Sequence, residues 1–564
     1  MSELITETIL PGTYIEVRTE GLLSIGAISV GNVGLVGTAE KGDDTIVRLA
    51  TYEEARASFG EAPEWNPADH DDNLSLVRAA KLLFDNGAQT VYALRAYDAA
   101  TAVTATFTLG ADAGAAQGLG LRARTPGTWG NRIQIRVEPV DEKLRVEDEV
   151  VSRINGGFAL SAQKLLTAGA AAPAETPSLG SVTVWENGLP RRYQLRTDPA
   201  SAHVVRVDAA SRVLTFAAAP GATAEVVASY PVPAESVRKV TLRYGNSQEV
   251  YVVPSLTYLA QLISDEENPS RLVEVAQLPT GDGLPVLSDA GQFVAFTTGA
   301  NGTVAPARYT EALDRLVEQD VQILVVGGLP FARAKSAVLA HLEKSENAGR
   351  ERIAFVGADK SNVDKVLENA NDVADKRLVL VGPGLKQIDP ETERAIALPP
   401  AYAAAAVAGR LASVPPHVSL TNKTLLGIDG LDAAYNQGEL KALVLNRVLA
   451  LQTKRGVRVV KGITTHDEAF TQITTRRIVD YVKQGTRLGA NQYIGKLNNR
   501  RVRENLRTTL DRFLSDLVLR EFLTGYNLNV TADRAMEIRG EVLVTMDLMP
   551  TFSIDVVRVI MNLS

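Results

Sequence analysis

Apolar positions follow three different patterns along the chain. Continuous apolar runs, VQILVVGG from Val321, RIAFVG from Arg352 and RLVLVG from Arg377, predict strands buried on both faces, as in a parallel sheet. Between them YTEALDRLVEQ, RAKSAVLAHLEKSE and SNVDKVLENAND repeat their apolar residues at helical spacing. Strand and helix therefore alternate over 240–430, and the expected fold there is a doubly wound α/β domain with right-handed crossovers. A smaller α/β piece precedes it. GAISVGNVGLVGTAEKGDD reads as a β-run, TYEEARASFG as a helix with Thr51 and Glu54 spaced as a capping box, 74–86 as a second helix, and TVYALRAY as a strand.

Between about 101 and 233 the pattern changes to short alternating runs with turn residues every eight to twelve positions, which predicts one or two inserted β-domains. Asn187-Gly188 between alternating runs is a hairpin signal. Trp185 beside it is either a core residue or a binding platform.

The last third holds the strand GVRVVKGITT, a helix containing TTRRIVDYVKQG, and NNRRVRENLRTTLDRFLSDLVLREFLTG. The last of these puts Val502, Leu506, Leu510, Phe513, Leu514, Leu517, Val518 and Phe522 on one helical stripe, with Asn498 or Asn499 as cap and Gly525 as the stop. GEVLVTMDLM alternates, with Val542, Val544, Met546 and Leu548 on one side. After Pro550 comes an apolar, β-branched run from Phe552 to Met561. As a strand it places Ile554 and Val556 on one side, and Val557, Val559 and Met561 on the other, with Ile560 between them in the run. Both faces want burial and no returning strand follows, so the sheet it joins can belong to another molecule. LPGTYIEVRT at 10–19 is a second strand without a local partner, with Tyr14 and Glu16 on one side and Ile15 and Val17 on the other.

Composition narrows the class. A chain of 564 residues exceeds one core, so two to four domains are expected. With 45% hydrophobic and 22% charged residues it reads as globular and not disordered. The sequence has no apolar run long enough to span a bilayer, and MSELITETIL lacks a basic region ahead of an apolar one, so neither a membrane span nor a secretory signal is expected. The absence of Cys excludes disulfides, thiolate metal sites and Cys nucleophiles; five His leave little for a metal centre. From Lys441 onward there are 20 Lys and Arg against 12 Asp and Glu, a net +8, so 1–440 carries −15 of the total −7. The basic residues are scattered rather than blocked, which fits an acidic protein surface better than nucleic acid.

An α/β domain invites an enzyme or a nucleotide site at its strand ends. Gly327-Gly328, Gly357 and Gly382-Pro383-Gly384 stand there, but Gln387 occupies the place of the third glycine of a dinucleotide fingerprint, and no GxxxxGK[ST] occurs. Pro330 and Pro383 remove backbone donors where a phosphate would need them. Ser361, with Lys360 and Asp364 nearby, reads as a helix N-cap. There is no GxSxG elbow, and His341 and His417 lack evident Ser and Asp partners. ADHDDN at 68–73 lacks the spacing of a calcium loop. No catalytic residue, cofactor or metal site is expected.

PGTYIEV, TPGTWGNRIQIRV at 125–137, GVRVVKGITT, ITTRRIVDYVKQG, YIGKLNNRRVRENL and the final strand after Pro550 together resemble the contractile tail sheath proteins of bacteriophages and related injection systems. The likeness is continuous from about 240 to 564 and patchy before. It implies a subtilisin-like core without the protease, and a division into an N-terminal arm (1–22), a small α/β part (23–100), β-rich decoration (101–238), the core (239–440), an α+β domain (441–549) and a C-terminal arm (550–564). It implies that Thr13, Tyr14, Ile15, Glu16 and Val17, and Ile554, Val556, Val557, Val559, Ile560 and Met561, pair with neighbouring subunits, the acceptor being the strand of Val542, Val544, Met546 and Leu548. Arg476, Arg477, Lys483, Arg487, Arg500, Arg501 and Arg503 become candidates to face an acidic inner tube. The implied partners are copies of the chain in hexameric rings, the tube protein, and baseplate and terminator proteins, with no nucleic acid and no membrane insertion. The implied place is a virion or injection-particle tail assembled in a host cytoplasm. A nucleotide- or phosphate-binding enzyme and another self-assembling shell protein are the alternatives.

Overall fold

The computed structural model describes residues 28–562 apart from 67–73, 113–116, 142–143, 155–156, 163–182, 187–188, 192–204, 208–211, 217–219, 221–223, 281–282, 288–290 and 390–392. The chain divides into two compact units, one of residues 1–39, 44–96 and 304–564, the other of 40–43 and 97–303.

The three apolar runs become Ile323–Pro330, Ile353–Gly357 and Leu378–Gly382, neighbours in an eight-stranded sheet. Val33–Gly37 and Val91–Arg95 extend it on one side, and Leu449–Thr453 on the other, all in parallel. Only the edge strands Val47–Leu49 and Val457–Val459 run antiparallel. Alternate residues of one strand belong to different cores. Ile323 and Val325 join Leu82, Leu83 and the Pro400–Ala412 helix on one face, while Leu324 and Val326 join Leu313, Phe331 and Leu342 on the other. A strand buried on both faces has no polar side to show, which is why its sequence is continuous rather than alternating.

Two local readings change. Ser361 does not cap the Val363–Asn371 helix, whose N-cap is Asn362; its hydroxyl accepts from Gly384 N at 3.0 Å and its carbonyl from the Tyr435 hydroxyl at 2.7 Å, tying two strand-end turns together. Thr51 does accept from Glu54 N, but the Glu54 carboxylate takes the Ala50 N–H at 2.7 Å.

Among the described residues, the second unit holds four antiparallel four-stranded sheets around its own core. TWGN forms a 3-10 turn with Trp129 fully buried and its indole N–H donating to Thr125 O at 3.0 Å. Asn131 exchanges two bonds with the Gly299 backbone, at 2.9 and 2.7 Å. Gly127 enters this turn at φ 137, and a Cβ there would stand 1.9 Å from Glu40 O, so only glycine fits. Glu186 pairs with Leu189 across the Asn-Gly site, and Trp185 on that hairpin is 38% exposed.

Candidate assembly interface

Two long helices make a platform. Ile473–Asn491 buries Ile478, Tyr481 and Val482, and Arg500–Leu519 buries Leu506, Leu510, Phe513, Leu514 and Leu517. They cross closely at Gly485, where a Cβ would lie 2.1 Å from the Phe513 ring. Asn499 caps the second helix, accepting from Val502 N at 2.9 Å. That helix stops at Leu519, not at Gly525: Glu521 takes a left-handed φ of 64, Phe522 turns into the platform core, and Gly525 lies inside the following strand at a register shift.

Leu523–Thr531 and Leu543–Pro550 then form an antiparallel hairpin. Tyr526, Leu528, Met546 and Leu548 pack on the platform, while Leu543, Thr545, Asp547 and Met549 face out. Val544 shares the inward parity and Val542, just ahead of the strand, is exposed. This sheet has two strands only, so among the described residues the outer edge of each bonds to no further strand.

Residues 551–562 follow as a tail that joins no sheet. Ile554, Val556, Val557, Val559, Ile560 and Met561 are 72 to 86% exposed, a run of apolar surface that water does not favour. Backbone pairing stops at Thr551, whose N–H donates to Phe522 O at 3.1 Å; among the described residues none from 552 to 562 makes a backbone hydrogen bond. One side chain is fixed. Asp555 accepts from the Thr421 hydroxyl at 3.2 Å and the Ser553 hydroxyl at 3.1 Å, and pairs with Lys461 Nζ at 3.4 Å. Sequence reading passed over Asp555 because a single acid in an apolar run carries no periodic signal. Thr13, Tyr14, Ile15, Glu16 and Val17 lie outside the described residues.

The basic residues of the platform correct an expectation. Arg476 is 3% exposed and bonds Asp480 at 2.6 Å; Arg477 is 7% exposed and donates to the carbonyls of Val30, Val414 and Pro415. Neither guanidinium is on the surface, because the first platform helix sets this end against the α/β core. Lys483 and Arg487 reach Glu351 at 2.7 and 2.5 Å, and Arg377 of the core spans Glu346 at 3.0 Å and Asp480 at 2.6 Å. The bond from Arg377 holds the Glu346 carboxyl down at about 2. Burial pushes Glu351 up, but the hydrogen bonds from Arg487 and Lys483 outweigh it and leave that carboxyl at about 2 as well. Burial drives Arg477 down, since it meets only carbonyls. Arg503 pairs with Glu537 at 2.9 Å. Arg500 and Arg501 alone of the seven are exposed without a side-chain partner among the described residues. The i,i+4 spacing of Arg476 and Asp480 was the available hint of an internal pair.

His341, buried, contacts Arg352 at 3.0 Å and lies at about 4, lowered by burial and by the adjacent guanidinium. No cluster of His, Asp or Glu suited to a metal ion occurs among the described residues, and no helix there is long and apolar enough to cross a membrane.

Residues 302–465 match the phage tail sheath protein central domain and 465–564 the phage tail sheath C-terminal domain. A tail sheath protein of Mycobacterium phage Bxz1 is 28% identical over 191 residues, 32% of this chain and 33% of that protein, so the match spans a third of the length of this curated relative. A sheath tail protein from Desulfitobacterium hafniense shares the fold at a TM-score of 0.57 and 13% identity, over 96% of this chain and 100% of its own. One from Listeria innocua does so at 0.55 and 14%, over 93% and 96%. Both tail sheath domain models are matched in sequence order across 302–564, and the sheath family they describe is structural and not enzymatic.

Proposed function

We propose that this chain is the sheath subunit of a contractile tail, polymerising helically around an inner tube and shortening from a metastable extended state to drive that tube through a target envelope. One observation carries the reading: among the described residues, an apolar tail that joins no sheet follows a two-stranded hairpin whose outer edges bond to no further strand. A strand of Ser553 to Met561 added to the hairpin of another copy makes roughly four to eight ladder bonds, each worth about 0.5 to 1.5 kcal/mol net, besides apolar burial. Residues 13–17 are assigned the same role at the other end. The acceptor is the 542–548 strand with its hairpin partner. Such ties hold while the bodies repack, and the free energy of repacking moves the tube without a nucleotide. The α/β core serves as a subtilisin-like scaffold without its chemistry, and the β-rich 101–238 region decorates it. Arg500 and Arg501 remain as the tube-facing cations. Hexameric rings, baseplate and terminator contacts, and assembly in a host cytoplasm before use in the particle complete the reading.

Deleting 552–564 tests it by electron microscopy of the purified chain. The expected product is folded by circular dichroism and forms no tubes; regular tubes from the truncated chain would overturn the assignment.

A further inference from the structure

The tail poses a problem that assembly alone does not solve. A hairpin turn needs only two to five residues, so 551–554 is long enough to fold the tail back, antiparallel, on its own Leu543–Pro550 strand. Two partners in one chain meet at an effective concentration in the millimolar range, far above that of a second copy. A tail closed on itself would occupy the edge and silence both donor and acceptor. In the structure it is open, and both ends of the would-be turn are tied to the body: Thr551 N to Phe522 O at 3.1 Å, and the Asp555 carboxylate to Thr421 and Lys461.

We infer that Asp555 is a latch that keeps the tail off its own hairpin and leaves it free to pair with a second copy of this chain. A return onto the hairpin would require 551–554 as its turn and place Asp555 in the ladder beside that strand. The Asp555 side chain, 16% exposed, is instead bonded to core residues more than ninety positions away in sequence. Thr421 is itself held, accepting from Gly462 N at 3.2 Å, so the latch is seated on the segment that carries Lys461. The contact is a charge-assisted one of the kind that shifts an equilibrium without fixing it irreversibly. This inference rests on the proposed strand exchange but concerns the single subunit before it.

The chain has no Cys, so Thr545→Cys with Ile560→Cys gives a clean pair of exposed sites for spin labels. In the full-length monomer the label-to-label distances are expected to lack a population near adjacent-strand separation. With Asp555→Ala that population should appear, and tube assembly should slow by about tenfold, the scale of one charged hydrogen bond. Lys461→Met should move both readouts the same way by less. Unchanged distances together with unchanged assembly in Asp555→Ala would overturn the latch. The distance measurement is made on monomers, so it stands even if the 552–564 deletion assembles and the strand-exchange reading falls.

Discussion

The α/β core and the hairpin with its tail use the same residue types to opposite ends. Phe355 on its central strand is 1% exposed, with neighbouring strands on both edges and helices on both faces. Ile560 in the tail is 86% exposed and, among the described residues, has none of these. Both stretches are β-branched and apolar, yet among the described residues one completes its backbone hydrogen bonds and the other makes none. Apolar sequence reports a demand for burial and leaves open which molecule meets it.

The contrast is sharpest in a pair of alanine substitutions. Phe355→Ala should destabilise the monomer by about 3 to 5 kcal/mol, the cost of a large core cavity. Ile560→Ala should leave monomer unfolding unchanged within about 0.5 kcal/mol and weaken assembly instead. Denaturant unfolding of each variant, beside tube yield, checks both; a monomer that loses stability from the tail substitution would erase the distinction. Gly485→Val tests the platform between them. Its added carbons meet the Phe513 ring, and a loss of about 1 to 3 kcal/mol is expected unless the helices separate.

What could be read from sequence divides along the same line. The core strands and the Leu506–Leu517 stripe were legible because burial imposes a period. The end of that stripe was not: Gly525 looked like a stop, but the left-handed turn falls at Glu521 and the glycine sits in a strand. The fate of the cations was legible only in part, through the i,i+4 spacing of Arg476 and Asp480. Arg476 and Arg477 are buried against the core, partnered by Asp480 or by carbonyls far off in sequence, and no local pattern encodes a contact with Val30.

Acid separates the core from the ion pairs that join it to the platform. His341 is at about 4 when folded against an ordinary 6.5, so the unfolded chain gains a proton that the folded chain refuses. Stability should therefore fall as pH drops from about 6.5 to about 4, and His341→Gln should flatten that part of the profile. Glu346 and Glu351 are at about 2 against an ordinary 4.5; their contribution is complete above 4.5 and is lost as pH falls toward 2. Glu351→Gln should remove part of that lower limb and cost about 1 to 3 kcal/mol at neutral pH, because Arg487 and Lys483 lose a charged acceptor. Urea midpoints taken across the two windows distinguish these groups, and a single transition unaffected by either substitution would place the acid sensitivity elsewhere.

The smallest monomer effect belongs to Arg500 and Arg501. Both open the second platform helix, where the helix dipole disfavours a cation. Reversing them to Glu should therefore leave monomer stability unchanged or raise it slightly, within about 0.5 kcal/mol. If they face an acidic tube, the same double substitution should abolish tube-templated assembly at low salt, and added salt should narrow the gap by weakening the native sheath rather than rescuing the variant. Lys483 and Arg487 cannot serve as controls for this, because removing either takes away one of the two cations that Glu351 holds and disturbs the contact between platform and core. Arg507 can: it is exposed on the same helix, and Arg507→Glu carries one charge reversal away from its first turn. An equal loss of assembly from Arg507→Glu would mean that the helix responds to net charge alone, and the assignment of its first two residues to the tube would not stand.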